Sequence, residues 1–253
     1  MNAPVTTAQK QQAAPKSLFA AIVTLPLTIF GILCGALLLS IVVECVLMQV
    51  FWKNHYPEGE GWKHAQEMFY YEQNQFEQGY RRSLLMSEPV QKTQWLLNKA
   101  HEWVFIRSGI AEKRDAVLTS KITDSVRKRT FREYLGMAYG SVQTYVQAAA
   151  YTTLTFTLRV VILFLSLPLF ILALFVGAVD GLVRRDIRHF TYGHESGFVY
   201  HRAKSLLIPL LVLPWALYLA LPVSVSPILI LLPAAISLGI AANISAASFK
   251  KYL

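Results

Sequence analysis

Between Leu18 and Val43, between Val160 and Val179, and between Leu206 and Phe249 the chain carries no Asp, Glu, Lys or Arg. Each stretch meets or exceeds the ~20 apolar residues that cross the hydrocarbon core of a bilayer. The last is long enough for two crossings, with the proline-bounded "LPVSVSP" as the turn of a hairpin. Such stretches leave few folds open, because in lipid every backbone N–H and C=O must find its partner inside the protein, and the helix does this within one segment. Hydrophobic residues make up 54% of the 253, and their clustering sets the class: an all-α integral membrane protein with four transmembrane helices.

The middle of the chain is different in kind. From Lys53 to Thr153 it is polar, rich in Gln, Glu, Arg and Tyr, and at roughly 100 residues it is long enough to be a small domain. Trp62, Ala65, Phe69, Phe76, Tyr80 and Leu84 recur at mostly three- and four-residue steps, as do Val90, Thr93, Leu97, Ala100 and Val104. Both patterns predict amphipathic helices. Ser87-Glu88-Pro89 reads as a helix start with a capping hydroxyl, Ser108-Gly109 as a stop, and Val117 to Val126 as a third helical segment. Gly136 and Gly140 are the places where the helix leading into the second span could bend. The simplest sum of these patterns is a small helical bundle between the first and second spans.

The expected organisation is a flexible tail at 1–16, transmembrane helix 1 at 17–52, a helical periplasmic domain at 53–152 and transmembrane helix 2 at 153–182. A basic cytoplasmic loop at 183–204, helices 3 and 4 at 205–222 and 226–248, and a short C-terminus at 249–253 complete it. The first apolar run is too long for the 7–15-residue core of a secretory signal and no small-x-small site follows it, so it reads as a retained span. Both cysteines, Cys34 and Cys45, fall within this run, leaving the polar domain to fold without a disulfide. Neither follows the small residue that a lipoprotein anchor would need.

The net charge of +9 is informative through its placement. Two basic residues precede the first span, five lie in 183–204 and two are Lys250 and Lys251, against none in the 222–226 turn. By the positive-inside rule this side, with both termini, faces the cytoplasm of a bacterial inner membrane. The polar domain carries fourteen basic residues, but long domains translocate largely regardless of charge, so it is expected outside.

Few motifs carry chemistry. "RRDIRHFTYGHESGFVYHRAK", residues 184–204, holds His189, His194, Glu195 and His201, yet four residues after His194 stands Phe198 where a helical zinc motif needs a second histidine. "GHESG" differs from the G-x-S-x-G nucleophile elbow, since Ser196 directly precedes Gly197. No phosphate-cradling loop ending in Lys-Ser or Lys-Thr occurs. No metal, cofactor or catalytic residue is therefore assigned. Five basic groups beside membrane helices serve lipid headgroups and orientation more often than nucleic acid, so direct nucleic-acid contact is not expected. The loop's minimum role is orientation and its further role a protein-docking surface.

Two ionisable residues lie inside apolar stretches. Glu44 precedes Trp52 and Arg159 follows Thr152 by similar spacings, placing both roughly 10–12 Å below the outer surface at 1.5 Å per residue. Charges in lipid pair, face an interior or snorkel. The sequence allows a Glu44–Arg159 pair tying spans 1 and 2, or separate snorkelling of both to the outer headgroups. Gly31-x-x-x-Gly35 and Ala235-x-x-x-Gly239 permit close helix approach, within the bundle first and between copies of the chain second.

The stretch from Arg184 to Lys204 followed by a proline-rich hairpin, with weaker support from "HAQEMFYYE" at 64–72, resembles the integrating conjugative element membrane protein family. The likeness covers most of the chain from the first span onward. It implies an inner-membrane accessory subunit of a conjugative DNA-transfer (type IV secretion) apparatus, working beside the coupling protein ATPase. It carries no catalytic residues. Its matching positions Arg184, Arg185, Asp186, Arg188, Glu195, Ser196, Tyr200, His201, Arg202 and Lys204 are expected as a docking surface only. The competing class is a small membrane enzyme or transporter using Glu44 and Arg159 or the His194–His201 segment; a transport path would need polar groups near the bilayer midplane, and few exist beyond Asn243.

Overall fold

The computed structural model describes residues 18–52, 55–56, 60–107, 131–190 and 197–249. The flexible tail, Ser108-Gly109, the 117–126 segment and the C-terminal lysines expected from sequence lie outside them. The chain divides into two compact units, residues 1–35 and 36–253. Helix α1 runs from Leu18 to Val50 and supplies the described part of the first unit. Beyond it come α2 (Trp62–Gly79), α3 (Pro89–His101) continuing as a π-helical turn to Arg107, α4 (Phe131–Phe190), α5 (Gly197–Ala220) and α6 (Pro227–Ala247). No strand occurs among the described residues.

Four segments are long and apolar enough to cross a membrane: Leu27–Val50, Val142–Ile187, Tyr200–Ala220 and Pro227–Ala247. Their outward faces are apolar too, with Phe30, Leu38, Phe175, Ile208 and Leu229 all exposed. A soluble monomer rarely leaves so much contiguous apolar surface in water.

Within the second unit, α6 is central, packing along both α4 and α5, which touch each other only sparsely. Helices α4 and α6 run in the same direction, since Ala173 and Gly177 meet Gly239 while Gly181 meets Asn243 and Ala246. Helix α5 runs opposite, since Tyr200 near its start packs against Phe249 just past the end of α6. The parallel crossing depends on missing side chains. A Cβ on Gly177 would stand 2.1 Å from the Gly239 carbonyl oxygen, and one on Gly181 2.4 Å from that of Asn243. Where lipid surrounds helices, such close backbone approach supplies the dispersion contacts that apolar burial cannot.

The polar segment folds back onto α4. Ala65, Met68, Phe69, Glu72 and Phe76 form the buried stripe of α2, at the three- and four-residue spacing of one helix face. The stripe ends sooner than the sequence predicts. Helix α2 stops at Gly79, so Leu84, expected on the same face, is left 91% exposed. Helix α3 does begin at Pro89, but no side chain caps it; Glu88 takes a left-handed backbone with φ 56°, and the Ser87 hydroxyl accepts from Lys92 Nζ at 2.9 Å instead.

Helix α4 is continuous through Gly136 and Gly140, from within the polar segment into the apolar bundle. Where it meets α2 it carries Thr152, Thr153, Thr155 and Thr157, whose hydroxyls each donate to the carbonyl four residues earlier at 2.7–3.1 Å. This back-bonding satisfies the hydroxyls without a partner from another helix. Tyr151 on the same stretch sits among Trp62, Phe69 and Phe105, with ring centroids 5.1–6.3 Å away, so α2 and the π-helical turn share one aromatic cluster against α4.

Candidate functional site

Arg159 projects from α4 at the level of the turn between α5 and α6. It is 2% exposed, and Glu72 of α2, at 4%, is its acidic partner. Its Nε lies 3.1 and 3.2 Å from the two carboxylate oxygens, and Nη2 also donates to Oε1. The other donors reach backbone: Nη1 to the carbonyls of Tyr218 (3.2 Å) and Leu221, and Nη2 to that of Val223 (3.0 Å). Carbonyls at the end of a helix have no intrahelical donor and carry the negative end of its dipole. The planar five-donor fork of arginine can satisfy a carboxylate and several carbonyls at once. One side chain thus joins α2, α4, the end of α5 and the turn into α6.

The expected Glu44–Arg159 pair does not form. Glu44, also buried at 2%, instead meets His64 Nδ1 at 2.8 Å, and His64 stacks on Trp52 with centroids 4.0 Å apart. The reason is the return of α2, which brings its own acid and its own base to the two ionisable residues. Beside this contact a Cβ on Gly61 would stand 2.4 Å from Met48 Cγ, so a larger residue there would push the Met48 side chain aside. Burial raises the Glu72 carboxyl above its ordinary range, while Arg159's hydrogen bonds and charge oppose the rise.

A cavity of about 300 Å³ opens next to this junction, lined by Glu72, Gln75, Phe76, Tyr80, Ile162 and Tyr218 among others. The Tyr218 hydroxyl is buried and has no hydrogen-bond partner among the described residues, while its ring lies under the Arg159 guanidinium, 5.4 Å from Cζ to centroid. Burial also pushes the Tyr80 phenol above its usual range.

The basic residues gather at the opposite end of the bundle. The stretch expected as a loop at 183–204 is helical at all of its described residues, because α4 runs on to Phe190 and α5 already begins at Gly197. Arg184, Arg185, Asp186 and Arg188 therefore occupy the last turns of α4, and Tyr200, His201, Arg202 and Lys204 the first turns of α5. Glu195 and Ser196, with His194, lie outside the described residues. Arg184 pairs with Asp180 at 3.2 Å, one turn earlier, and Asn243 of α6 donates to the same carboxylate. Tyr200 packs edge-on against Phe249, centroids 5.6 Å apart, with Lys204 Nζ 5.7 Å above its ring. Among the described residues no three His, Cys, Asp or Glu side chains gather in a metal-binding group.

Of the small-residue pairs, Ala235 is buried and Gly239 sits against Ala173 and Gly177 of α4. A Cβ on Gly31 or Gly35 would meet nothing within 4 Å among the described residues. The partners on α4, Gly177 and Gly181, were not singled out from sequence, although their four-residue spacing is the same signal.

A family model described as IncC plasmid conjugative DNA transfer protein DtrJ-like matches residues 56–250. It agrees with the resemblance noted from sequence at the level of conjugative DNA transfer. No curated protein and no solved structure matches the chain.

Proposed function

The chain belongs to the DtrJ-like family of conjugative DNA transfer proteins, and from that premise we propose that it is a non-enzymatic inner-membrane subunit of the transfer apparatus. In this reading the Arg184–Lys204 end faces the cytoplasm and docks the coupling ATPase of the type IV secretion channel, while the α2–α3 segment faces the periplasm. The single observation that carries it is the family match combined with basic side chains on the last turns of α4 and the first turns of α5, at one end of the apolar helices of the second unit. Arg184, Arg202 and Lys204 are exposed there, and charge of one sign on a rigid helical base steers and orients an acidic partner surface. Against a transporter or enzyme built on Glu44 and Arg159 stands their engagement: each is already held by a partner from α2.

The test is photocrosslinking in donor cells from positions 184, 202 and 204, with position 74 on exposed α2 as the comparison. The reading expects the coupling ATPase among the products from the first three only. It also expects Arg184→Glu with Lys204→Glu to lower DNA transfer while the protein stays in the membrane. Unchanged transfer in that double variant would contradict docking through this end.

A further inference from the structure

A groove of about 400 Å³ runs along the outside of the α5–α6 pair, lined by Phe198, Arg202, Ala203, Leu206, Leu210, Ser237, Ile240, Ala241 and Ile244. Its shape comes from small residues. Ala203 and Ala241 are buried in its floor, while Leu206, Ile240 and Ile244 stand exposed along its walls. Arg202 lies near the start of the third apolar segment and Ile244 near the end of the fourth, so this end of the groove is where bundle meets headgroup layer. From Arg202 to Leu210 the groove descends about 12 Å along α5 at 1.5 Å per residue, and below Arg202 its lining carries no charge.

Arg202 is exposed and has no ion-pair partner among the described residues. Arg184 and Lys204 add positive charge at the same end of the bundle. A cation at the mouth of an uncharged channel of this depth matches one kind of molecule, with an anionic head and an acyl tail. We propose that this groove holds one anionic phospholipid, its phosphate paired with the Arg202 guanidinium and an acyl chain lying over Ala203 and Ala241. Arginine suits the headgroup because its fork binds phosphate oxygens bidentately. An unspecific annular lipid would need no cation at the mouth. The assignment rests on the membrane reading above but needs neither its orientation nor its partner.

The test uses the full-length chain extracted from membranes, titrated with phosphatidylglycerol or phosphatidylcholine and examined by native mass spectrometry. One phosphatidylglycerol should be retained in preference to phosphatidylcholine, and Arg202→Gln should lower that retention roughly fivefold, the scale of one basic contact to an anionic lipid. Ser237→Leu, which fills the deep end while leaving Arg202 in place, should lower it too. Lys204→Gln should have the smaller effect. Equal retention of both lipids by the wild-type chain, or full retention in either Arg202→Gln or Ser237→Leu, overturns the assignment. Recovery of the protein in the soluble fraction would instead overturn the membrane reading beneath it.

Discussion

Replacing Arg159 by alanine should be the most damaging single change in the chain. Arg159 and Glu72 are both nearly fully buried, and the arginine donates to the carboxylate and to the carbonyls of Tyr218, Leu221 and Val223. Its removal leaves a carboxylate in a low-dielectric site without its cation, a loss of about 3–5 kcal/mol. Lysine keeps the charge but not the fork, so Arg159→Lys should lose carbonyl contacts and cost about 1–3 kcal/mol. Converting both partners to apolar residues, Arg159→Met with Glu72→Leu, removes the stranded charge and should recover most of the loss, since apolar replacement of a buried pair is often neutral. The assay is the unfolding midpoint of detergent-purified protein, with the single and double variants forming a mutant cycle. The pH dependence carries a sign. Burial already holds the Glu72 carboxyl above its usual value, and without Arg159 nothing opposes that rise, so a proton can neutralise the stranded group. The Arg159→Ala penalty should therefore shrink as pH falls towards the ordinary carboxylate range. An Arg159→Ala cost under about 1 kcal/mol, or a double variant no better than the sum of its singles, would refute the reasoning.

Three further outcomes follow from other contacts. Gly177→Leu should separate α4 from α6, because its Cβ alone would come within 2.1 Å of the Gly239 carbonyl oxygen; a loss of about 1–3 kcal/mol or more in thermal stability is expected. Glu44→Ala and His64→Ala should each cost about 1–3 kcal/mol by leaving one side of the 2.8 Å contact unmade, and the two losses should not add. Exchanging charges as Glu72→Arg with Arg159→Glu should restore more stability than Glu44→Arg with Arg159→Glu, which checks the identity of the Arg159 partner directly.

How far this was legible in the sequence depended on whether the signal was local. The apolar stretches specified α1, α5 and α6 because length and absence of charge are properties of the segment itself. The importance of Glu44 and Arg159 was legible for the same reason, since a charge within an apolar run needs a partner. Their partners were not, because contact with Glu72 and His64 depends on α2 folding back onto α4 and the end of α1. A cue did exist: Glu72 stands three residues after Phe69 and four before Phe76, on the face that the periodicity marks as buried. A carboxylate in that stripe calls for a cation across the interface. The hidden limit of α2 at Gly79 has a similar origin, since the pattern continued to Leu84 while the packing surface did not. At the basic end, polarity suggested a loop, whereas helices prolonged beyond the apolar segment carry polar residues equally well.

The central claim is that the α2–α3 segment and the Arg184–Lys204 end lie on opposite sides of one membrane. Single cysteines at Asn74 and Arg184, both exposed, introduced after replacing Cys34 and Cys45, can be probed in intact cells with a membrane-impermeant maleimide. Position 74 should react at once, and position 184 only after the inner membrane is opened. Reaction of position 184 in intact cells, with position 74 protected, would invert the topology and remove the ATPase from reach of its proposed docking surface.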